Sequence, residues 1–146
     1  MKLKLTAIVL LLTLFSCKTY TITPESFKSQ FANSNPKKTK EVEINNVIIL
    51  PNSTTKYLSN DIKYLNVKDK KGNLFFMPNS PSLEMRVTDK EGKKFHFYFD
   101  TVTLENDSLK GGRSRFMHGL TRGIPFGDIV KIEVQEGGKN YQYQNQ

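Results

Sequence analysis

Leu83-Glu84-Met85-Arg86-Val87-Thr88-Asp89-Lys90-Glu91-Gly92-Lys93-Lys94-Phe95-His96-Phe97-Tyr98-Phe99-Asp100 reads as a β-hairpin. Leu83, Met85 and Val87 alternate with Glu84, Arg86 and Thr88, the two-residue period of a strand with one buried face. Asp89-Lys90-Glu91-Gly92 carries turn chemistry, and Phe95, Phe97 and Phe99 then alternate with His96, Tyr98 and Asp100. The three phenylalanines are the expected aromatic spine of the core. Val102 and Leu104 carry the apolar pattern onward on even positions. A one-residue phase change flips every side chain, so the chain must bulge, twist or change sheets near Asp100-Thr101.

Outward from the hairpin the pattern stays extended. Val42, Ile44, Ile48 and Leu50 keep even spacing with Val47 and Ile49 between them, which suits a strand buried on both sides. Pro51 to Thr55 breaks it. Tyr57-Leu58, Ile62 to Val67 and Leu74 to Met77 are the next extended pieces, with a turn at Asp69-Lys70-Lys71-Gly72-Asn73. Downstream, Ile124-Pro125-Phe126-Gly127-Asp128 looks like a helical turn feeding a strand through Val130, Ile132 and Val134. Glu136-Gly137-Gly138-Lys139 suits a tight hairpin that would bring Asn140 to Gln144 back, with Tyr141 and Tyr143 on one face.

Helical chemistry occurs once. Thr23 is a capping residue, Pro24 suits the first helical position, and Glu25 sits in the first turn. Ile22 and Phe27 have hydrophobic-staple spacing, and Phe27 and Phe31 share a face. Asn33-Ser34-Asn35-Pro36 ends the segment. The expected fold is mainly β, a small antiparallel barrel or sandwich preceded by one short α-helix.

The chain opens with Lys2 and Lys4, an apolar run from Leu5 to Phe15, and Ser16-Cys17. This is the build of a secretory signal peptide, too short to span a bilayer. Leu14-Phe15-Ser16-Cys17 resembles the lipobox of bacterial lipoproteins, and Cys17 is the sole cysteine of the chain. The alternative is an ordinary secretory leader cut further on. The lipobox resemblance implies lipid attachment at Cys17 with cleavage just before it. The expected organisation is then a signal peptide at 1–16, a lipidated tether with a short helix at 17–39, and a β-domain at 40–146. Lys18-Thr19-Tyr20-Thr21 lacks the acidic residues that resemble a surface-export signal after the cysteine. That resemblance implies the cell envelope, on the inner leaflet of the outer membrane and facing the periplasm.

The stretch from Leu83 to Val134 resembles small SH3-like or Sm-like barrels. It is also similar to small uncharacterised Bacteroidetes lipoproteins that combine "V-T-x-x-G-K-x-F-x-F", "D-S-L-x-G" and "I-P-x-x-D-I-x-x-I-E-V" segments. Those read here as Val87-Thr88-Asp89-Lys90-Glu91-Gly92-Lys93 with an extra Lys94 before Phe95, Asp107-Ser108-Leu109-Lys110-Gly111, and Ile124 to Val134. The resemblance implies a fold and no activity.

Removing the leader takes away Lys2 and Lys4 and leaves 20 basic against 14 acidic side chains, a formal +6. Such an excess suits anionic partners, which for an envelope protein means headgroups, glycans or an envelope protein rather than nucleic acid. With Cys17 acylated, no thiol remains for a disulfide or a cysteine metal site. H-E-x-x-H, G-x-S-x-G and the P-loop are all missing, so no catalytic residue, cofactor or metal is assigned. The reading is a binding or accessory module. The alternative is a small envelope hydrolase or transferase using His96 and Asp100, which share a face if the strand runs straight; a solvated outer face is the other account of His96. Lys110 to Gly123 holds Lys110, Arg113, Arg115 and Arg122 among four glycines, with no acid between Asp107 and Asp128. It reads either as an anion- or partner-binding loop or as a hairpin connection kept soluble by charge. His118 lies within it, a lone candidate metal ligand.

Overall fold

A computed structural model describes residues 18–33, 39–46, 53–112, 114, 117 and 119–144. Cys17, the 47–50 half of the expected two-sided strand, Arg113, Arg115 and His118 lie outside them. The protein is mainly β, with eleven strands, one α-helix and two 3₁₀ turns among the described residues. A six-stranded antiparallel sheet has the order β5(Leu74–Pro78)-β4(Tyr64–Lys68)-β1(Thr19–Ile22)-β11(Ile129–Glu136)-β6(Leu83–Asp89)-β7(Lys94–Tyr98). A three-stranded sheet joins β10(Thr121–Pro125), β9(Ser108–Gly112) and β8(Thr103–Glu105), and β2(Thr39–Asn46) pairs with β3(Ser53–Asn60).

The hairpin forms as its alternation requires, with Met85 opposite Phe97 and Val87 opposite Phe95. Leu83, Met85, Val87, Phe97 and Phe99 are buried, and Phe95 packs half-buried at their margin. The phase change is resolved by a 3₁₀ turn at Phe99–Thr101, after which β8 joins the three-stranded sheet. One core collects the inner face of the large sheet, the helix α1(Pro24–Asn33), and Val102, Leu109, Ile124 and Phe126 from the second sheet and its turn. Gly111 is required there. A Cβ at this position would stand 2.7 Å from the Phe97 ring, so β9 can lie on β7 only with glycine at that point.

α1 begins as its cap predicts. The Ser26 N–H donates to Thr23 Oγ1 at 3.2 Å, and both staple residues, Ile22 and Phe27, enter the core. Phe27 and Phe31 are fully buried, with ring centroids 4.6 Å apart and both edge-on to Phe99. Gln30 fastens the helix further. Its carbonyl accepts from the Asn66 N–H at 2.7 Å and its amide donates to the Asn66 carbonyl at 3.1 Å, on the side of β4 where β1 has ended.

Two expectations are corrected. The described part of the expected 17–39 tether, residues 18–33, does not lie outside a domain beginning near residue 40. Thr19–Ile22 is an interior strand, paired in full with β11 and touching β4 at Thr21–Lys68, and α1 supplies two of the largest core side chains. The C-terminal segment does not fold back on β11. It crosses to β2, with the Asn45 N–H donating to the Gln142 carbonyl and the Gln144 N–H to the Glu43 carbonyl. The pull is burial of Tyr141 and Tyr143 in a second cluster with Val42, Ile44, Tyr57 and Tyr98. A chain beginning at Lys37 therefore loses an interior strand and two phenylalanines, each worth about 3–5 kcal/mol when truncated to alanine. It is expected to lose its cooperative thermal transition, while a chain beginning at Lys18 keeps it; calorimetry of the pair decides.

Candidate functional site

The outer face of the large sheet carries one ordered polar row. Register places Thr21, Glu133, Arg86 and His96 side by side across β1, β11, β6 and β7. Glu133 is 8% exposed; it accepts from Arg86 Nε at 2.9 Å and from Lys131 Nζ at 2.9 Å. These charge-assisted bonds, the Arg86 bond first, hold its carboxyl down to about 2 against burial acting the other way. The same bond raises Arg86. The hollow between Thr19, Glu84, Arg86, His96 and Glu133 has a free volume of only about 20 Å³, the room of a single water. It is a braced patch of sheet surface.

His96 and Asp100 do not share a face. His96 stays exposed on the outer side of β7, whereas the 3₁₀ turn carries Asp100 into the interior, where it is fully buried. There its carboxylate accepts from the hydroxyls of Tyr57 at 2.5 Å and Tyr143 at 2.9 Å. The carboxyl thus clasps β3 and the C-terminal segment to the corner. The shared-face expectation assumed a straight strand through residue 100. Nothing local marks the clasp, because each tyrosine is 43 residues from Asp100.

The basic stretch is a hairpin at its base, with Gly112 opposite Thr121 and Lys110 opposite Gly123. Lys110 donates to Glu105 at 2.9 Å, and Arg122 lies over the Phe95 ring at 5.7 Å, so of the candidate cations the two described ones both have local partners. Gly111 serves close packing against Phe97. What the structure brings to this edge is a cation–aromatic group, with Lys93 also 5.3 Å from Phe95. Among the described residues no three His, Cys, Asp or Glu side chains gather as a metal site would need.

At the opposite edge lies a feature that strand reading passed over. Leu74, Phe75 and Phe76 are 67, 42 and 74% exposed on β5, the terminal strand of the sheet. Tyr64 on β4 is 62% exposed. The signal was in the sequence: four large apolar residues in succession, Leu74 to Met77, without alternation, directly after Lys70-Lys71-Gly72-Asn73. No family model matches the chain, and no curated protein or solved structure matches it either.

Glu133 gives a pH prediction. Its folded pKa lies below the unfolded value of 4.5, so its contribution is complete above about 4.5 and drains away as pH falls toward about 2. That contribution is on the order of 3 kcal/mol. Glu133→Gln should destabilise the protein at pH 7 and flatten the acid limb of its stability curve between about pH 4.5 and 2, as read by urea melts along a pH series.

Proposed function

We propose that this chain is a lipid-anchored envelope protein, held by Cys17 in the inner leaflet of the outer membrane and acting in the periplasm as a binding or accessory module. The observation that carries this reading is the leader. A basic start, an apolar run and Leu14-Phe15-Ser16-Cys17 precede the domain, and the one cysteine of the chain falls where lipid attachment needs it. β1 starts at Thr19, so Lys18 alone would separate the anchor from the sheet. For the finer architecture we take the sandwich over the SH3-like barrel. The helix and the three-stranded sheet share a core with one face of the large sheet, and β5 and β7 remain its edges among the described residues.

The partner in this reading is an anionic glycan or an envelope protein taken at Lys110–Arg122. The support is local charge: Lys110, Arg113, Arg115 and Arg122 with no acid between Asp107 and Asp128. The hydrolase or transferase alternative needed His96 beside Asp100. Tyr57 and Tyr143 occupy that carboxylate instead, and no observation favours it.

Cys17→Ala should abolish incorporation of a fatty-acid probe and accumulate uncleaved precursor; labelling that persists would refute the anchor. Replacing Arg113, Arg115 and Arg122 with Ser should remove salt-sensitive binding to phosphorylated glycans, because exposed charges are screened over about 8–10 Å. Its melting temperature should stay within a few degrees of the parent, since exposed ion pairs contribute about 0–1 kcal/mol. Lys40, Lys56 and Lys63 changed together to Ser are the control for bulk charge. Equal loss in both variants would reduce the loop to an ordinary connection.

A further inference from the structure

The apolar edge at β5 and the start of the described chain belong to one surface. Lys18, Thr19 and Tyr20 line a groove with Asp69, Lys70, Lys71 and Phe75. The Tyr20 and Phe75 rings meet edge to face at 5.4 Å. Strand pairing sets Leu74 opposite Lys68 and Phe76 opposite Asn66, so Leu74 and Phe76 project from the outer side of the sheet and Phe75 from the inner. The edge is therefore apolar on both sides. Sheet edges exposed to water are ordinarily short, charged or covered, and three large apolar residues on one call for an occupant.

The charge around it has one sign. Lys18, Lys68, Lys70 and Lys71 surround the patch, against Asp69 as the single carboxylate among these neighbours. That carboxylate is engaged in its own turn, accepting from the Lys71 and Asn73 N–H groups at 2.8 and 2.9 Å and from the Asn73 amide at 3.0 Å. An apolar ridge ringed by lysines matches the layered chemistry of an anionic bilayer surface, with acyl chains inside a shell of phosphates.

We propose that this edge lies in the interfacial layer of the membrane that anchors the chain. Leu74, Phe75 and Phe76 enter the boundary between headgroups and acyl chains, and Lys18, Lys68, Lys70 and Lys71 sit among anionic headgroups. The inference rests on the lipid-anchor reading and deepens it. Two residues of extended chain reach at most about 7 Å, so an acylated Cys17 holds the lipid within that distance of Thr19, on the same groove. The domain is then docked flush and oriented, with no free swing on a tether. β5 faces the bilayer, and β7 with the basic hairpin, at the other edge of six strands spaced about 4.8 Å apart, faces away.

The chain has no tryptophan, so Phe76→Trp introduces the sole indole at a position 74% exposed, where the core is not disturbed. The mature acylated protein would be reconstituted in vesicles of phosphatidylglycerol and phosphatidylethanolamine carrying lipids brominated near the headgroup end of the acyl chain. The expected result is blue-shifted emission, strong quenching by the brominated lipid, and protection from iodide. Leu120→Trp, beside the far edge, should remain open to iodide and untouched by bromine. Changing Lys68, Lys70 and Lys71 to Gln should reduce the bromine quenching at position 76 severalfold.

An indole at position 76 that iodide quenches as freely as the one at position 120 overturns the proposal. Protection from iodide without bromine quenching also overturns it, and points to a second copy or a protein strand on β5. Mass of the N-terminal peptide reports acylation independently. A chain found unacylated refutes the anchor; the same indole on that mature chain, mixed with anionic vesicles, then decides the surface by itself. Quenching lost when phosphatidylglycerol is replaced by phosphatidylcholine upholds it, and no quenching with either lipid overturns it.

Discussion

The carboxamide of Asn60 holds the place where the two sheets diverge. Its amide donates to the carbonyls of Phe99 at 2.8 Å and Val102 at 3.0 Å, and its oxygen accepts from the Ile62 N–H at 3.2 Å and the Asn79 amide at 2.9 Å. Both donors and both lone pairs are used at a site 5% exposed, the condition under which a buried polar group stabilises rather than costs. The Phe99–Thr101 turn can therefore leave the β7 ladder without stranding its carbonyls. Asp100 reaches out of the same turn to Tyr57 and Tyr143, and Thr101 Oγ1 bridges the Tyr98 carbonyl and the Gly112 N–H. Each of the three consecutive residues that leave the ladder is bonded outside the turn. The corner is where the β2–β3 hairpin, the three-stranded sheet and the C-terminal segment are joined to the large sheet.

The second constraint is the placing of β1. A strand inserted between β4 and β11 gives and receives bonds on both sides, and its successor α1 closes the core from above through Phe27 and Phe31. The first described residues are thus among those the large sheet most needs. Were the chain held at Cys17 as proposed, this would have a mechanical consequence. Force on Cys17 would load the middle of the sheet directly, with Lys18 the single residue between them.

The surface chemistry is polarised between the two edges of that sheet. β7 and the neighbouring hairpin carry Arg122 and Lys93 packed on Phe95, cations held by an aromatic ring. β5 carries exposed aromatic and aliphatic side chains, with Phe75 edge to face against Tyr20, and lysines in the adjacent turn. Between the edges, Glu133 with Arg86 and Lys131 ties β11 to β6 by a low-pKa carboxylate, a rigid span separating two different surfaces.

Periodicity alone was enough for the β6–β7 hairpin, because alternate burial writes itself into alternate residues. The helix start was equally legible, since Thr23, Pro24 and the Ile22–Phe27 staple act within one turn. The phase slip after Phe99 announced a corner, although a 3₁₀ turn, a bulge and a barrel bend all produce the same slip. Long-range pairing was not legible. A four-residue strand such as Thr19–Ile22 reads as a tether until β11 and β4 are folded on either side, and Tyr141 and Tyr143 name no partner strand until Val42, Ile44 and Tyr57 make a pocket for them. His96 and Asp100 failed for the same reason: their spacing fixes a shared face only while the backbone keeps period two, and a corner set by Asn60, forty residues away, ended it. Local sequence determined which residues turn inward; only tertiary structure decided which strands they meet, because hydrogen-bonded edges accept any strand and burial selects among them.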